Sequence, residues 1–318
     1  MKNVKRTVAD MDINSILRKC YNFYSSAWTA ATSRYPLGTN IYEKEWDAVL
    51  ILDTARVDAL HEVAPEFDFL TNVGSIVSVG STSSEWLANT FRKEYCDEIA
   101  QTAHVTANSH AKRVLVRGIY PDPQFQGRFD RTAHNMVSED DFLILDQPWE
   151  YIDYEGVGHT PPKYITDRAI AVARELSPKR LVVHYSQPHA PYSAQAIAEG
   201  REQYAYEQDP FDALQRGTPL ENVWDSYLDE LRRVLESVEL LLKNLDANQV
   251  VISADHGEAF GEWGLYGHYQ GMPHPHVKRV PWAITTASDS ETYEPTVEPQ
   301  DTATQTVEEQ LKALGYAE

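Results

Sequence analysis

Long apolar runs are missing from this chain of 318 residues. No stretch of about 18 consecutive apolar residues occurs, so the sequence predicts no transmembrane helix. The N-terminal residues Met1-Lys2-Asn3-Val4-Lys5-Arg6 also lack the apolar segment of a secretory signal. We therefore expect a cytoplasmic protein.

The chain is also poor in cysteine and in positive charge. Its two cysteines, Cys20 and Cys96, have neither the spacing of a metal site nor that of a disulfide framework. Only 28 Lys and Arg, of which 11 are Lys, stand against 48 Asp and Glu, for a net charge of -20. Such acidity repels nucleic acid backbones, so we expect no nucleic acid partner. The composition also fits a protein from a high-salt cytoplasm.

The acidity is uneven along the chain. Residues 1–45 carry seven Lys and Arg against four Asp and Glu, a net charge of +3, so the rest carries -23. The same segment places Tyr21, Tyr24 and Trp28 at roughly helical spacing. Two interpretations stay open: a helix packed on the body of the protein, and a basic aromatic helix in peripheral contact with a membrane surface. We divide the chain into this N-terminal helical segment and one domain, 46–318.

Short apolar runs alternate with helical patterns along that domain. Strands are predicted at 46–53, 75–79, 104–107, 113–116, 180–185, 250–253 and 280–285. Helices are predicted at 165–176, at 224–245, where the apolar stripe is clearest, and at 303–314; residues 118–163 show no period and are predicted as long loops. Strands that alternate with helices indicate an α/β fold, a three-layer αβα sandwich with a largely parallel central sheet.

Polar side chains follow several of these strands at the point where each strand ends. Asp53 ends the first strand, and Asp255-His256-Gly257-Glu258 ends the strand at 250–253. The hydroxyl cluster Ser81-Thr82-Ser83-Ser84 follows the strand at 75–79, and His189 follows the strand at 180–185. Because the carboxyl ends of parallel strands meet at one edge of a sheet, we expect these side chains to share a crevice. His268 follows closely enough to fold back on it.

This set of side chains points to metal-assisted chemistry. Carboxylates and neutral imidazole are ligands of zinc, or of manganese when oxygen ligands dominate. A hydroxyl at a helix start beside such an ion suits attack on phosphate, because the ion lowers the hydroxyl's pKa and the helix N-terminus holds the anion. A structural alternative stays open for the hydroxyl cluster: with Glu85 close behind, part of it is typical of a helix cap.

These residues, in this order, resemble the alkaline phosphatase–sulfatase superfamily, and within it the branch that includes phosphoethanolamine transferases and lipoteichoic acid synthases. Asp53 matches the metal carboxylate of the family's first strand, and Asp255-His256-Gly257-Glu258 matches its DHGE metal pair. The stretch from His184 to Tyr192 looks like the transferases' H-x-x-G-x-H-x-P-x-Y. There His189 would hold the phosphoryl group or a second metal, and His268 falls where those enzymes place another such histidine.

The resemblance covers about residues 45–285 and implies an alkaline phosphatase-like fold. It also implies one or two divalent ions, with Zn or Mn favoured over Ca or Mg. Their ligands would come from Asp53, Thr82, Asp255, His256 and His268.

The predicted nucleophile slot departs from the family. Sulfatases carry C/S-x-P-x-R, in which the first residue becomes formylglycine, whereas this chain reads Ser81-Thr82-Ser83-Ser84-Glu85-Trp86. The absence of Cys, Pro and Arg argues for a plain hydroxyl nucleophile. Alignment of Ser84 with the family's Pro makes Thr82 the nucleophile, with Ser81 and Ser83 as competitors that contact the substrate. Arg56 either clamps the substrate or pairs with Asp58.

The resemblance implies a metal-dependent hydrolase or transferase that acts on a phosphate ester of a small molecule, a glycan or a lipid headgroup. His189 and His268 would contact the reacting group or protonate the leaving group. The alternatives are a sulfatase with an unusual nucleophile slot, a mutase of the same fold, and a catalytically inactive binding protein. Because the transferases' membrane anchor is missing from this sequence, we expect a soluble substrate.

Overall fold

The computed structural model describes residues 19–121, 135–152, 154 and 158–299 of the chain. In these residues the strands are β1 (Ala48–Leu52), β2 (Val73–Val77), β3 (Thr102–Thr106), β4 (Ile144–Asp146), β5 (Arg180–Tyr185), β6 (Ala247–Ser253), β7 (Ala259–Phe260), β8 (Tyr266–Gly267) and β9 (Arg279–Ala287). The helices are α1 (19–32), α2 (Val57–Val63), α3 (Ser83–Thr90), α4 (Cys96–Ile99), α5 (Pro162–Leu176), α6 (Ala194–Glu199), α7 (Ala205–Gln208), α8 (Pro210–Gln215), α9 (Leu220–Leu242) and α10 (Pro275–Lys278).

Strand β1 lies at the centre of the main sheet. Its sequence, Ala-Val-Leu-Ile-Leu, is apolar throughout, and every residue of it is buried, as a strand covered on both faces requires. It pairs in parallel with β5 and β6, so that Leu50 lies opposite Val183 on one side and Ile252 on the other. Within the described ranges the sheet order is β2-β9-β6-β1-β5-β3-β4. Only β9 breaks the parallel pattern, because it runs antiparallel to both β2 and β6.

Helices cover both faces of this sheet. Leu50 and Leu52 of β1 belong to a core that includes α2, α5 and α9. Val49 and Ile51 belong to a second core with α3 and α4. Because successive side chains of a strand point to opposite faces, two separate cores mean two helical layers. The predicted three-layer αβα sandwich with a largely parallel sheet is confirmed.

The long helix α9 shows how the sequence pattern determines packing. Its buried apolar side chains recur every three or four residues and are Val223, Tyr227, Leu228, Leu231, Val234, Leu235, Val238, Leu241 and Leu242. They form one stripe along the helix, which packs into the core of α2 and α5. The helix ends a few residues before β6 and so delivers the chain to the centre of the sheet.

Several predicted elements differ from the structure. The predicted strand at 113–116 is wrong: Lys112–Val116 form a short π-helix whose Val114 and Leu115 fill the core under α3. A short apolar run fits a buried helical turn as well as a strand, which explains the error. Strand β4 lies inside the stretch predicted as loops. The predicted helix at 303–314 lies outside the described residues. No helix of the described ranges is both long and apolar enough to cross a membrane.

Candidate active site

Three of the predicted metal ligands meet at the carboxyl edge of the sheet. Asp53 follows β1, and Asp255 and His256 follow the neighbouring strand β6. One ligand atom from each lies within 4.8 Å of the other two. All three side chains are buried, and Asp255 and His256 are completely so. The parallel pairing of β1 with β6 therefore brings together residues that are 202 positions apart in the chain.

The electrostatics of this cluster fit a divalent cation. Two buried carboxylate oxygens, Asp53 Oδ1 and Asp255 Oδ2, have no hydrogen-bond partner in the described part of the chain. The Nδ1–H of His256 donates to the carbonyl oxygen of Gly257 at 3.0 Å, which leaves Nε2 with a lone pair 3.4 Å from Asp255 Oδ2. Burial and the neighbouring carboxylates of Asp255 and Glu258 raise the pKa of Asp53 well above its usual value. Two buried carboxylates and a neutral imidazole are a ligand set for zinc or manganese.

Local backbone geometry shapes the two strand ends. Thr54 adopts a left-handed φ of 67°, which is strained for a β-branched residue, and its N–H donates to Asp255 Oδ1 at 3.3 Å. Gly257 must lack a side chain, because a Cβ there would collide with the carbonyl oxygen of His276. The Thr54 bond links the ends of β1 and β6, and the close approach at Gly257 fixes the loop that follows Asp255 and His256.

The hydroxyl closest to this cluster is that of Ser83, the first residue of α3. Its Oγ lies 3.4 Å from Asp53 Oδ2 and 3.4 Å from His256 Nε2. The predicted nucleophile, Thr82, is the N-cap of the helix, and its Oγ1 accepts a hydrogen bond from the N–H of Glu85 at 3.2 Å. Thr82 also lines the cleft, but the geometry favours Ser83 as the hydroxyl beside the predicted metal ligands.

Ser81 has a structural role. It is completely buried, and its backbone N–H donates to the Glu85 carboxylate at 2.8 Å. Its Oγ lies 2.5 Å from that carboxylate and accepts from the N–H of Gly271 at 2.8 Å. These bonds use the hydroxyl inside the protein, and the contact of Ser81 with substrate stays a prediction.

Arg56 is likewise engaged within the protein. Its guanidinium pairs with Asp58 and, at 2.7 Å, with Glu262, and it lies 5.0 Å from the ring of Trp224. The side chain is almost fully buried and is not part of the cleft. Of the two predicted roles, the pairing with Asp58 is confirmed, and the substrate clamp is not supported.

A cleft of about 390 Å³ opens beside the cluster, and histidines line one of its walls. The rings of His189 and His268 lie 5.3 Å apart, and that of His159 lies 5.4 Å from His189. The Nδ1–H of His189 donates to the carbonyl oxygen of Ala190 at 2.5 Å, which leaves its Nε2 as an electron-pair donor. Burial, together with His268 and His159, lowers the pKa of His189 well below its usual value, so the ring is neutral.

His268 is held by a buried carboxylate. Its Nδ1–H donates to Glu258 Oε1 at 2.8 Å, and Glu258 is almost fully buried. Burial lowers the pKa of His268, but the Glu258 carboxylate outweighs burial, so this pKa lies above its usual value. The last residue of the DHGE motif thus orients the histidine that follows it by ten positions.

Sequence reasoning missed several residues of the cleft. Asn108 donates from Nδ2 to Asp53 Oδ2 at 2.8 Å, and His110 Nδ1 lies 2.9 Å from Ser84 Oγ. Both follow the carboxyl end of β3, so the strand-end rule that selected Asp53 and Asp255 would have found them. Tyr21 and His159 also line the cleft and carry no comparable signal, because they arrive from outside the strand ends.

A buried carboxylate–imidazole cluster with a helix-start hydroxyl, at the carboxyl edge of a largely parallel sheet, defines a class of site suited to ester chemistry. The sequence profile of the Sulfatase family matches residues 120–308, more than half of the chain, and the chain belongs to this family. The family's domain supports transfer or hydrolysis of phosphate or sulfate esters. The matched range contains Asp255, His256, His189 and His268 but neither Asp53 nor Ser83.

Solved structures with similar folds include two phosphoethanolamine transferases. The integral membrane lipooligosaccharide phosphoethanolamine transferase EptA from Neisseria meningitidis is 12% identical, with 77% of this chain and 48% of that chain covered and a TM-score of 0.47. The periplasmic domain of EptC from Campylobacter jejuni is 16% identical, with 77% and 79% covered and a TM-score of 0.45. A Bacteroides thetaiotaomicron protein described as a sulfatase is 12% identical, with 80% and 66% covered and a TM-score of 0.42.

The match therefore spans about half the length of the EptA transferase. A search of curated protein sequences gave no match.

Proposed function

We propose that this protein is a metal-dependent phosphoric ester hydrolase or transferase with Ser83 as its nucleophile. One observation carries the proposal: the Ser83 hydroxyl lies 3.4 Å from two predicted metal ligands, Asp53 and His256, at the first residue of a helix. A hydroxyl there faces both a positive helix end and a cation site, the two features that activate an oxygen toward a phosphoryl group.

Asp53, Asp255 and His256 would hold the divalent ion. When bound, the ion supplies positive charge that lowers the pKa of the attacking hydroxyl and stabilises the charge of the transition state. Asn108 keeps Asp53 in place through its hydrogen bond at 2.8 Å. His189 presents a neutral Nε2 on the opposite wall, which suits a second ion.

The chain's own residues then account for the phosphoryl transfer. Ser83 gives its hydroxyl proton to solvent water and its Oγ forms a bond to phosphorus, while the bond from phosphorus to the leaving alcohol oxygen breaks on the far side. The N–H groups at the start of α3 bind the non-bridging oxygens. His268, held by Glu258, passes a proton to the leaving oxygen. Water, or a second alcohol, then gives a proton to His268 and attacks phosphorus. The bond from phosphorus to Ser83 Oγ breaks, and Ser83 recovers a proton from solvent.

Sulfate ester hydrolysis is the second candidate, and the Sulfatase family match favours it. The nucleophile slot argues for phosphate instead. A formylglycine releases sulfate when its sulfated hydrate reverts to the aldehyde. Formylglycine is made from a Cys or Ser within the motif C/S-x-P-x-R. The slot offers Ser81 to Ser84 without the Pro or Arg of that motif. A sulfate ester on an unmodified serine could not release sulfate in this way.

The experiment compares single hydroxyl deletions on paired esters. We expect Ser83→Ala to lower turnover of 4-nitrophenyl phosphate or its diester by at least about a thousandfold, with metal content retained. Thr82→Ala removes only a helix cap, so its cost should be about 1 kcal/mol of stability. Loss of turnover in Thr82→Ala but not in Ser83→Ala would return the nucleophile to position 82.

The same assay, with zinc and with manganese, separates the two ester classes. We expect 4-nitrophenyl phosphate to react much faster than 4-nitrophenyl sulfate. The reason is that water can readily hydrolyse a phosphoserine intermediate but not a sulfate ester of serine. Preference for sulfate, or an aldehyde at Ser83 detected by mass spectrometry, would favour the sulfatase candidate.

A further inference from the structure

Helix α1 has its polarity reversed relative to an ordinary surface helix. The residues that it buries are small and hydroxylic: Ser25, Ser26, Thr29, Thr32 and Ser33. The residues that it exposes include Phe23 at 62%, Tyr24 at 40% and, just past the helix, Tyr35 at 79% and Leu37 at 55%. A surface helix normally turns its apolar stripe to the core. Here Phe23 and Tyr24 of the helix, with Tyr35 and Leu37 just past it, are exposed, and Trp28 is the aromatic residue that faces the body.

The inward face of α1 is packed and bonded to the body of the protein, through Trp28 to Glu85 and through Thr29 to Gln270. Four of the five buried hydroxyls donate to nearby carbonyls of the same segment, as Thr29 Oγ1 does to Ser25 at 2.8 Å and Thr32 Oγ1 to Trp28 at 3.0 Å. Ser25 Oγ has no hydrogen-bond partner among the described residues. The Trp28 indole N–H donates to Glu85 at 2.7 Å, and Gln270 Nε2 donates to Thr29 Oγ1 at 2.5 Å. Small side chains and these bonds hold the helix tightly against the body.

The charge of the segment around α1 indicates what kind of partner binds its outward face. The chain has a net charge of -20, yet no Asp or Glu occurs between Asp12 and Glu43. The exposed stripe carries its cations at its two ends, Lys19 and Arg34, with Ala27 and Ala31 between them. Aromatic side chains with flanking cations and no acids suit the interface of an anionic bilayer.

The same helix forms part of the cleft. Tyr21 lines it, and the Tyr21 hydroxyl donates to the carbonyl oxygen of Gln270, another lining residue, at 3.2 Å. The Tyr24 hydroxyl donates to the carbonyl oxygen of Gly271 at 2.5 Å. The helical turn that exposes Phe23 and Tyr24 therefore also supplies Tyr21 to the cleft wall.

We propose that the outward face of α1 docks on the surface of an anionic lipid bilayer and holds the mouth of the cleft at that surface. The inference rests on the proposed function for its second part, which names the substrate class: a phosphate ester displayed in the headgroup layer. Phe23, Tyr35 and Leu37 would enter the interface, Lys19 and Arg34 would pair with lipid phosphates, and Tyr21 would contact the headgroup.

Vesicle flotation tests the docking. The full chain is mixed with phosphatidylcholine vesicles with or without phosphatidylglycerol, alongside a variant with Phe23→Ser, Tyr35→Ser and Leu37→Ser. A matched control carries Ile197→Ser, Tyr204→Ser and Leu220→Ser, which remove comparably exposed side chains on other elements. We expect the original chain and the control to float with anionic vesicles, and the first variant to bind about tenfold less.

A second measurement separates docking from catalysis. We expect the α1 variant to hydrolyse soluble 4-nitrophenyl phosphate at an unchanged rate but phosphatidic acid in vesicles at least about tenfold more slowly. If the original chain floats but hydrolyses neither ester, the proposed function fails and the docking stands. Equal flotation of the variant and the original chain would overturn the docking. So would a dimer, seen by sedimentation equilibrium and abolished in the variant, because the face would then be an interface between copies.

Discussion

A shift of one residue decides which hydroxyl meets the predicted metal ligands. Thr82 and Ser83 are adjacent in a run of four hydroxyl residues, and successive side chains on a helix are rotated by about 100°. The N-cap residue turns its oxygen back to the helix, as Thr82 does toward the N–H of Glu85. The next residue is then free to face the crevice between β1 and β6.

The metal ligands can be tested directly. We expect Asp255→Asn and His256→Gln each to remove bound metal and activity together, because each deletes a ligand from a small buried set. Metal content of the purified protein, measured by mass spectrometry, gives the readout. Asp289→Asn is the control, since that carboxylate pairs with Arg174 far from the cluster. A full equivalent of metal in both ligand variants would contradict the assignment.

Asn108 should matter for metal affinity although it is not a predicted ligand. Its amide orients Asp53, so Asn108→Ala should weaken metal binding by about 10- to 100-fold, as loss of a ligand's hydrogen-bond partner typically does. Titration with a competing chelator measures this affinity. Asn248→Ala, at an exposed position of β6, should leave the affinity unchanged. Equal affinities in the two variants would mean that Asp53 needs no such support.

At the scale of elements, the start of α3 is held from several directions. Glu85, completely buried within α3, binds the backbone of Ser81 and the indole of Trp28 in α1. Lys278, at the end of α10, donates from Nζ to the carbonyl oxygen of Gly80 at 3.1 Å. The turn that carries Ser83 is therefore fixed by two elements far apart in sequence. The predicted division between 1–45 and 46–318 stays a prediction, but α1 packs directly against the site.

This arrangement makes α1 a support of the turn that carries Ser83. Trp28→Phe keeps an aromatic ring, although a smaller one, and removes the donor to a buried carboxylate, which should cost about 1–3 kcal/mol of stability and lower turnover with metal retained. Thermal unfolding and metal content provide the readouts. Trp263→Phe serves as the control, because that indole is largely exposed and should change neither. An unchanged melting temperature in Trp28→Phe would show that Glu85 holds the turn without α1.

At the scale of the whole molecule, the sheet topology determines where the site lies, and the net charge affects the stability of the fold. The parallel sheet collects the ends of β1, β3, β5 and β6 at one edge and so creates the site. The net charge of -20 contributes self-repulsion that opposes the compact state and that dissolved salt screens.

The charge predicts a stability that depends on salt. Raising KCl from 0.1 to 1 M shortens the screening length from about 10 Å to about 3 Å, so repulsion between surface carboxylates should fall and the melting temperature should rise. Differential scanning calorimetry at neutral pH measures it. Chloride is chosen because sulfate would strengthen apolar burial by itself. A melting temperature that stays constant or falls would mean that the acidic surface carries no net repulsion.

Local chemistry in the sequence determined much of this protein. Strand β1 is a continuous apolar run, and β5 contains the run Leu181 to Val183, as strands covered on both faces require. The carboxylates and imidazoles that end β1 and β6 could be placed at one sheet edge because parallel strands share a direction. Strand ends predicted Asp53, Asp255 and His256 together, and the same rule, extended to β3, would have added Asn108.

Only the tertiary structure decided the rest, because those features depend on side-chain direction and on contacts between distant segments. The choice between Thr82 and Ser83 depends on which of them caps α3. The run at 113–116 became helical because Val114 and Leu115 fill the core under α3 in that form. His159 and Tyr21 reach the cleft from segments whose patterns point to no site. Phe23 and Tyr24 of α1 point outward because Trp28 and the small hydroxyl residues pack inward. Their partners on the body, Glu85 and Gln270, determine that orientation, and both are distant in sequence.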